Sequence, residues 1–229
     1  MWKRCKSTRI AGAAFALVLA AGCVTSETTR GSSFVLAGQE EKDPKSSTTT
    51  KSRIRALEKK VQSMPERVDL QIQLARAYHG DKQFEPAIAT LKCAAEKEPR
   101  NSEIHFLLGE YYVELNRMPE AESAFRGAVA SSRTGFTGPP LALGYTLAMQ
   151  EKYPEAIAEF EKVIAIDPAQ PTALYYLGCC YDSLGARAKA VEYFTLCADL
   201  KSPHQEKAAQ ELRRLQLLER TGGAAHAAR

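Results

Sequence analysis

The chain has 229 residues, 45% of them apolar and 25% charged, the balance of a folded domain with room for little beyond one domain and a tail. The formal charge is +4, but Lys3, Arg4, Lys6 and Arg9 supply all of it, and the remainder of the chain is balanced. With no basic stripe beyond those first residues, a nucleic-acid partner is excluded.

The basic segment Lys3 to Arg9 is followed by apolar and small residues from Ile10 to Ala21. This run is too short to cross a bilayer as a helix, which takes about 20 residues, and fits the apolar core of a secretory signal. It ends in Leu19-Ala20-Ala21-Gly22-Cys23. Small residues before a cysteine resemble the lipobox of bacterial lipoproteins. The resemblance implies that residues 1–22 are a signal peptide and that Cys23 becomes a lipidated first residue carrying acyl chains such as palmitate. Two or more chains anchor a protein stably. Ala20 departs from the family's usual Leu, and an ordinary signal peptide with an incidental cysteine is the alternative. In bacterial lipoproteins an Asp after the cysteine favours the inner membrane; with Val24 there instead, the resemblance implies the outer membrane, on its periplasmic face.

Residues 23–51 then form the anchor cysteine and a tether. They are rich in Ser, Thr, Gly, Glu and Lys, as in Ser46-Ser47-Thr48-Thr49-Thr50, and lack apolar periodicity. Such a composition predicts disorder. A coil of that length spans about 30 Å and reaches at most about 95 Å.

Ile54, Leu57 and Val61 fall at helical spacing and Pro65 ends the segment. Residues 52–67 are read as a partial leading repeat with its helix over 52–64. From there a pattern returns every 34 or 35 positions. Leu74-Ala75, Leu108-Gly109, Leu143-Gly144 and Leu177-Gly178 are each followed by a small-and-large pair: Ala87/Leu91, Ala121/Phe125, Ala156/Phe160 and Ala190/Phe194. Glycine costs up to about 1 kcal/mol in a helix, so its recurrence signals two helices that approach closely. A period of this length marks a solenoid. The pattern resembles the tetratricopeptide repeat, a helix-turn-helix unit. Four repeats are expected over 68–203, at 68–101, 102–136, 137–170 and 171–203. The extra residue falls near Gly135, and Gly138-Pro139-Pro140 predicts a late start for the first helix of repeat three. Ser202-Pro203-His204-Gln205 carries a helix-start signal. A capping helix is expected over 204–220, with Ala208, Leu212, Leu215 and Leu218 inward, and a frayed tail over 221–229. The fold class is therefore all-α, a solenoid closed by a C-terminal helix, as terminal repeats require.

No catalytic constellation is visible. His79, His105, His204 and His226 are scattered, no phosphate loop or nucleophile elbow occurs, and nothing implies a cofactor or metal. Glutamates are read as solvated on exposed helical faces. Cys197 stands where Ala94 and Ala128 stand in other repeats, and is read as a small core residue; Cys93, Cys179 and Cys180 are not assigned a disulfide.

The resemblance implies a binding groove lined by the first helix of each repeat. Carried to this chain, its positions are Ile72 and Arg76, Phe106 and Glu110, Leu141 and Tyr145, and Tyr175 and Cys179, with His79, Val113, Ala148 and Asp182 one turn further on. The apolar members are expected to face solvent as an interaction stripe, unless the next repeat or the tail covers them. The lysine-and-asparagine clamp of cytosolic chaperone adaptors is absent. The expected activity is non-enzymatic: a lipid-anchored scaffold that holds an extended or helical protein segment in the cell envelope. Lipoproteins of this layout include type IV pilus pilotins. An adaptor for murein hydrolases and a periplasmic carrier of an apolar small molecule are the alternatives.

Overall fold

The computed structural model describes residues 44–227, with side chains from Thr50 to Leu218. The expected signal peptide, Cys23 and most of the expected tether lie outside the described residues. Ten helices and no strands are present among them: α1 (Pro44–Ser63), α2 (Val68–Gly80), α3 (Phe84–Lys97), α4 (Ser102–Glu114), α5 (Met118–Ser131), α6 (Gly138–Met149), α7 (Tyr153–Ile166), α8 (Pro171–Ser183), α9 (Arg187–Ala198) and α10 (Gln205–Ala227). They fall into two compact units that divide between Ser132 and Arg133. No described helix is long and apolar enough to cross a membrane.

In the first unit α2 pairs with α3 and α4 with α5; in the second α6 pairs with α7 and α8 with α9, and α10 packs on α9. The glycines explain how closely the pairs approach. A Cβ on Gly109 would lie 2.4 Å from Phe125, one on Gly144 2.8 Å from Phe160, and one on Gly178 2.6 Å from Phe194. Those three rings are among the largest fully buried side chains. Each is worth about 1.5–3 kcal/mol of apolar burial, more than the helix propensity that glycine forfeits. In α2 and α3 the same two positions hold Ala75 and Leu91, both 0% exposed, so a slightly larger small residue meets a smaller partner.

The turn inside each repeat has one left-handed residue, and these recur with the repeat: Lys82 (φ 61°), Asn116 (φ 58°), Glu151 (φ 64°) and Gly185 (φ 76°). Only the last is free of Cβ strain. Between repeats, Tyr78 donates to Glu58 (2.6 Å) and Tyr181 to Glu161 (3.1 Å), tying a first helix to the helix before it. Tyr112 instead lies under Arg117, 4.8 Å from its ring centre, and Lys92, 5.9 Å away.

Four expectations need correction at the helix ends and faces. Helix α1 starts at Pro44, not 52, so the stretch 44–51 read as tether is helical. Proline suits a first helical position, which offsets the weak propensity of the Ser and Thr run. The capping helix starts at Gln205 and continues to Ala227, where a frayed tail was expected. Its start shifts because Ser202 and Pro203 form a turn: Ser202 accepts from the backbone N–H of His204 (3.3 Å) and of Gln205 (3.0 Å). The Gln205 amide does not close a capping box; it donates to the Ala198 carbonyl at 3.0 Å and fastens α10 to the end of α9. Inward on α10, Ala208 and Leu215 are buried, while Leu212 is half-buried. The late start expected for α6 is present: it begins one residue late relative to α4, with Pro139 and Pro140 buried in its first turn.

Candidate functional site

The eight expected groove residues divide between the two units, four in each. Three of them are not exposed. Ile72 is 8% exposed, Leu141 4% and Cys179 8%, and all three belong to the core. The expectation of a solvent-facing apolar stripe through these positions is corrected: neighbouring helices cover them, since an apolar side chain at a helix–helix seam is drawn inward. Val113 and Ala148, one turn on, are buried too. What remains accessible is Arg76, Phe106, Glu110, Tyr145 and Tyr175.

In the first unit these residues lie on a seam between α2 and α4. On α4, Glu103, Phe106, Glu110 and Glu114 share one helical stripe, spaced three to four residues apart. On α2, Arg76 and His79 do the same. Arg76 reaches Glu103 at 2.7 Å, and His79 Nε2 lies 2.7 Å from Glu114. His79 is held in place by parallel stacking on Tyr111, with ring centres 4.3 Å apart, and by the edge of Phe84 at 5.5 Å. Phe106 sets its edge against the buried Phe125 at 5.6 Å and keeps part of its ring accessible. Glu110 lies between these two contacts along α4. Burial, followed by the neighbouring charge of Glu114, pushes its carboxyl up to about 7, with Arg76 acting weakly the other way. The reading of glutamates as solvated is corrected here, and again at Glu122, which is 5% exposed and paired with Arg126.

The second unit presents aromatic rings in place of charges. Tyr145 meets Tyr176 edge-on at 5.3 Å, and Tyr176 stacks on Phe160 at 5.8 Å. Tyr175 stacks on His204, in the turn that leads into α10, at 5.2 Å, so that turn covers one of its faces. His204 is 9% exposed, lies 3.3 Å from the Thr172 hydroxyl, and leaves Nδ1 buried without a partner. Burial, then the charge of Lys207, holds its imidazole below the ordinary value. At the far end of the face Asp182 pairs with Arg214 of α10 at 2.6 Å. Cys180 is buried and its thiol is pushed up to about 12; Cys197 is fully buried, as are Ala94 and Ala128 at the same repeat position.

Sequence reasoning missed Glu103, Glu114, Tyr176 and His204 as neighbours of the site. Glu114 was accessible to it, because it stands one repeat and one residue after His79. Among the described residues no three His, Cys, Asp or Glu side chains gather where they could hold a metal ion.

Comparison with known proteins accords with this architecture. Three models of one repeat family match, described as tetratricopeptide repeat over 54–135 and 171–204 and as TPR repeat over 144–185. Together they span nearly all the described repeats, and the chain is a tetratricopeptide-repeat protein with an all-α solenoid fold. Proteins of this class are interaction scaffolds that bind peptide or protein partners. Among solved structures it is similar to MamA, at 23% identity and TM-score 0.63 over 76% of this chain and 99% of that one. It is also similar to YrrB, described as a TPR protein with an unusual peptide-binding site, at 20% identity and TM-score 0.64 over 74% and 86%. A third is PilW, described as a widely conserved type IV pilus biogenesis factor, at 19% identity and TM-score 0.60 over 75% and 80%. At these identities the likeness is one of fold. No curated protein matches the sequence.

Proposed function

We propose that this protein is a lipid-anchored scaffold of a bacterial cell envelope that recruits a protein segment to the accessible faces of its first helices. The observation that carries the reading is the set of first-helix side chains that keep part of their surface accessible: Phe106 and Glu110 in one unit, Tyr145 in the other. A ring that keeps a face open beside a desolvated carboxylate is poor as packing and good as a contact surface. The anchor rests on Lys3 to Cys23, and Val24 favours the outer membrane. The fold shared with PilW, joined to that anchor, supports a role in assembling an envelope complex such as a pilus secretin.

Membrane fractionation tests the anchor: Cys23→Ser should move the protein from the membrane to the soluble fraction, and its retention there would refute lipidation at this residue. Crosslinking in living cells from Phe106 and Tyr145 tests the faces. Each position should capture a partner that Phe106→Ala or Tyr145→Ala loses, with helicity unchanged. Capture that survives both substitutions would place the contact elsewhere.

A further inference from the structure

We propose that the α2–α4 face takes a basic segment of the partner, with Glu110 receiving a lysine or arginine side chain and Phe106 its apolar stem. This rests on the peptide-binding reading above and names the chemistry of the ligand at that face.

The argument is one of charge complementarity. The seam carries three carboxylates, Glu103, Glu110 and Glu114, against Arg76 and His79. Arg76 is engaged by Glu103 and His79 by Glu114, each at 2.7 Å. Neither hydrogen bond nor ion pair reaches Glu110 among the described residues, although it is half-buried. A desolvated carboxylate in that position costs free energy that a cation brought to it would return. The second accessible group is Phe106, one helical turn before Glu110 on the same stripe. Lysine and arginine have this two-part character, an apolar stem ending in a cation. The guanidinium can add stacking on the ring. An acidic partner would meet two carboxylates already bridged and one unbridged, and gains nothing.

The geometry carries a distinctive signature. The charged groups acting on Glu110 are Arg76 from α2 and Glu114 from its own helix; Glu110 in turn acts on Tyr111, and His79 of α2 lies against Glu114. Arg76 only weakly offsets the burial of Glu110, so the carboxyl is partly protonated near neutrality. A bound cation favours the carboxylate and releases that proton. Affinity should therefore rise as pH increases, approaching about tenfold per pH unit below pH ~7 and levelling off above it.

A random peptide library selected on the full chain near pH 8 supplies the probes, with affinities then measured on the chosen peptides. The expected result is enrichment of Lys and Arg beside an apolar residue. Glu110→Gln should weaken these peptides by about tenfold or more and flatten the pH profile. Glu85→Gln, which removes the same charge from exposed α3, should leave both unchanged. Arg76→Gln should tighten binding, because it removes the competing cation. Peptides without basic enrichment, or an unaltered affinity in Glu110→Gln, would overturn this inference and leave the scaffold reading standing. If no peptide is selected, both fall.

Discussion

Replacing Gly109 by Ala places a methyl carbon 2.4 Å from one carbon of the Phe125 ring and 2.6 and 2.7 Å from two others. Real carbons do not approach so closely, so the ring or the helix must shift. Phe125 is 0% exposed and has no free end to move. Overpacking of this kind costs about 1–3 kcal/mol, against a gain of about 1 kcal/mol from alanine's better helix propensity. At 2.4 Å, the tightest of the three glycine contacts, the cost falls in the upper part of that range, about 2–3 kcal/mol, and the net loss should be about 1–2 kcal/mol. Repeat one already contains the compensated pair, Ala75 with Leu91. The double variant Gly109→Ala/Phe125→Leu should therefore be more stable than the sum of its singles by about 1–2 kcal/mol. Urea unfolding followed by far-ultraviolet circular dichroism on the four proteins measures this. The reasoning also ranks the sites: Gly178→Ala, with its contact at 2.6 Å, and Gly144→Ala, at 2.8 Å, should cost progressively less than Gly109→Ala. A wild-type midpoint for Gly109→Ala, or strict additivity in the cycle, would refute the account of the glycines.

Acidification should affect the two units oppositely. Below its ordinary 6.5, His204 favours the neutral form when folded, so stability is present above pH 6.5 and lost as pH falls through and below it. Hydrogen exchange in α8 to α10 should accelerate on acidification after correction for the intrinsic rate, and His204→Phe should remove most of that effect. Glu110 is raised above its ordinary 4.5 to about 7, so its unit instead becomes more stable as pH falls from 7 towards 4.5. Glu110→Gln should accordingly protect α2 to α5 above neutrality, and equal protection of mutant and wild type at high pH would count against its burial. Lys82→Gly and Glu151→Gly relieve left-handed strain at φ 61° and 64° and should raise the unfolding midpoint slightly, by up to about 1 kcal/mol. A fall would mean that the side chains hold the turns.

The repeat was legible because its physics is local and periodic. Gly109, Gly144 and Gly178 with their phenylalanines recur at one spacing, and a residue type that is costly in a helix needs a packing reason. The late start of α6 was legible for the same reason, from Pro139 and Pro140. The site was less so. Repeat position tells which residues point to one face of a helix, not whether the next helix lies over that face. Ile72, Leu141 and Cys179 occupy the expected positions and are buried, whereas Phe106 and Tyr145 occupy equivalent positions and are not. The start of α10 escaped because Ser202 uses its acceptors on a turn before the helix, a choice that depends on Gln205 finding the Ala198 carbonyl.

The position two residues after the repeat leucine shows why a regular fold can serve a selective function. It holds Arg76, Glu110, Tyr145 and Cys179 in the four repeats. All four lie on the first helix of their repeat, yet only Cys179 is buried in the core, so at Arg76, Glu110 and Tyr145 the side chain is not dictated by packing alone. In the first unit this position is ionic: its Arg is paired and its Glu is left over. In the second it is aromatic at Tyr145 and closed at Cys179, where the face ends under a capping helix fastened by Arg214 to Asp182. Cores built from the same kind of small-and-large pair thus support two chemically distinct faces. A substitution at Glu110 should change what the first unit accepts without altering the second, and one at Tyr145 the reverse. A scaffold with one uniform surface could not show that separation.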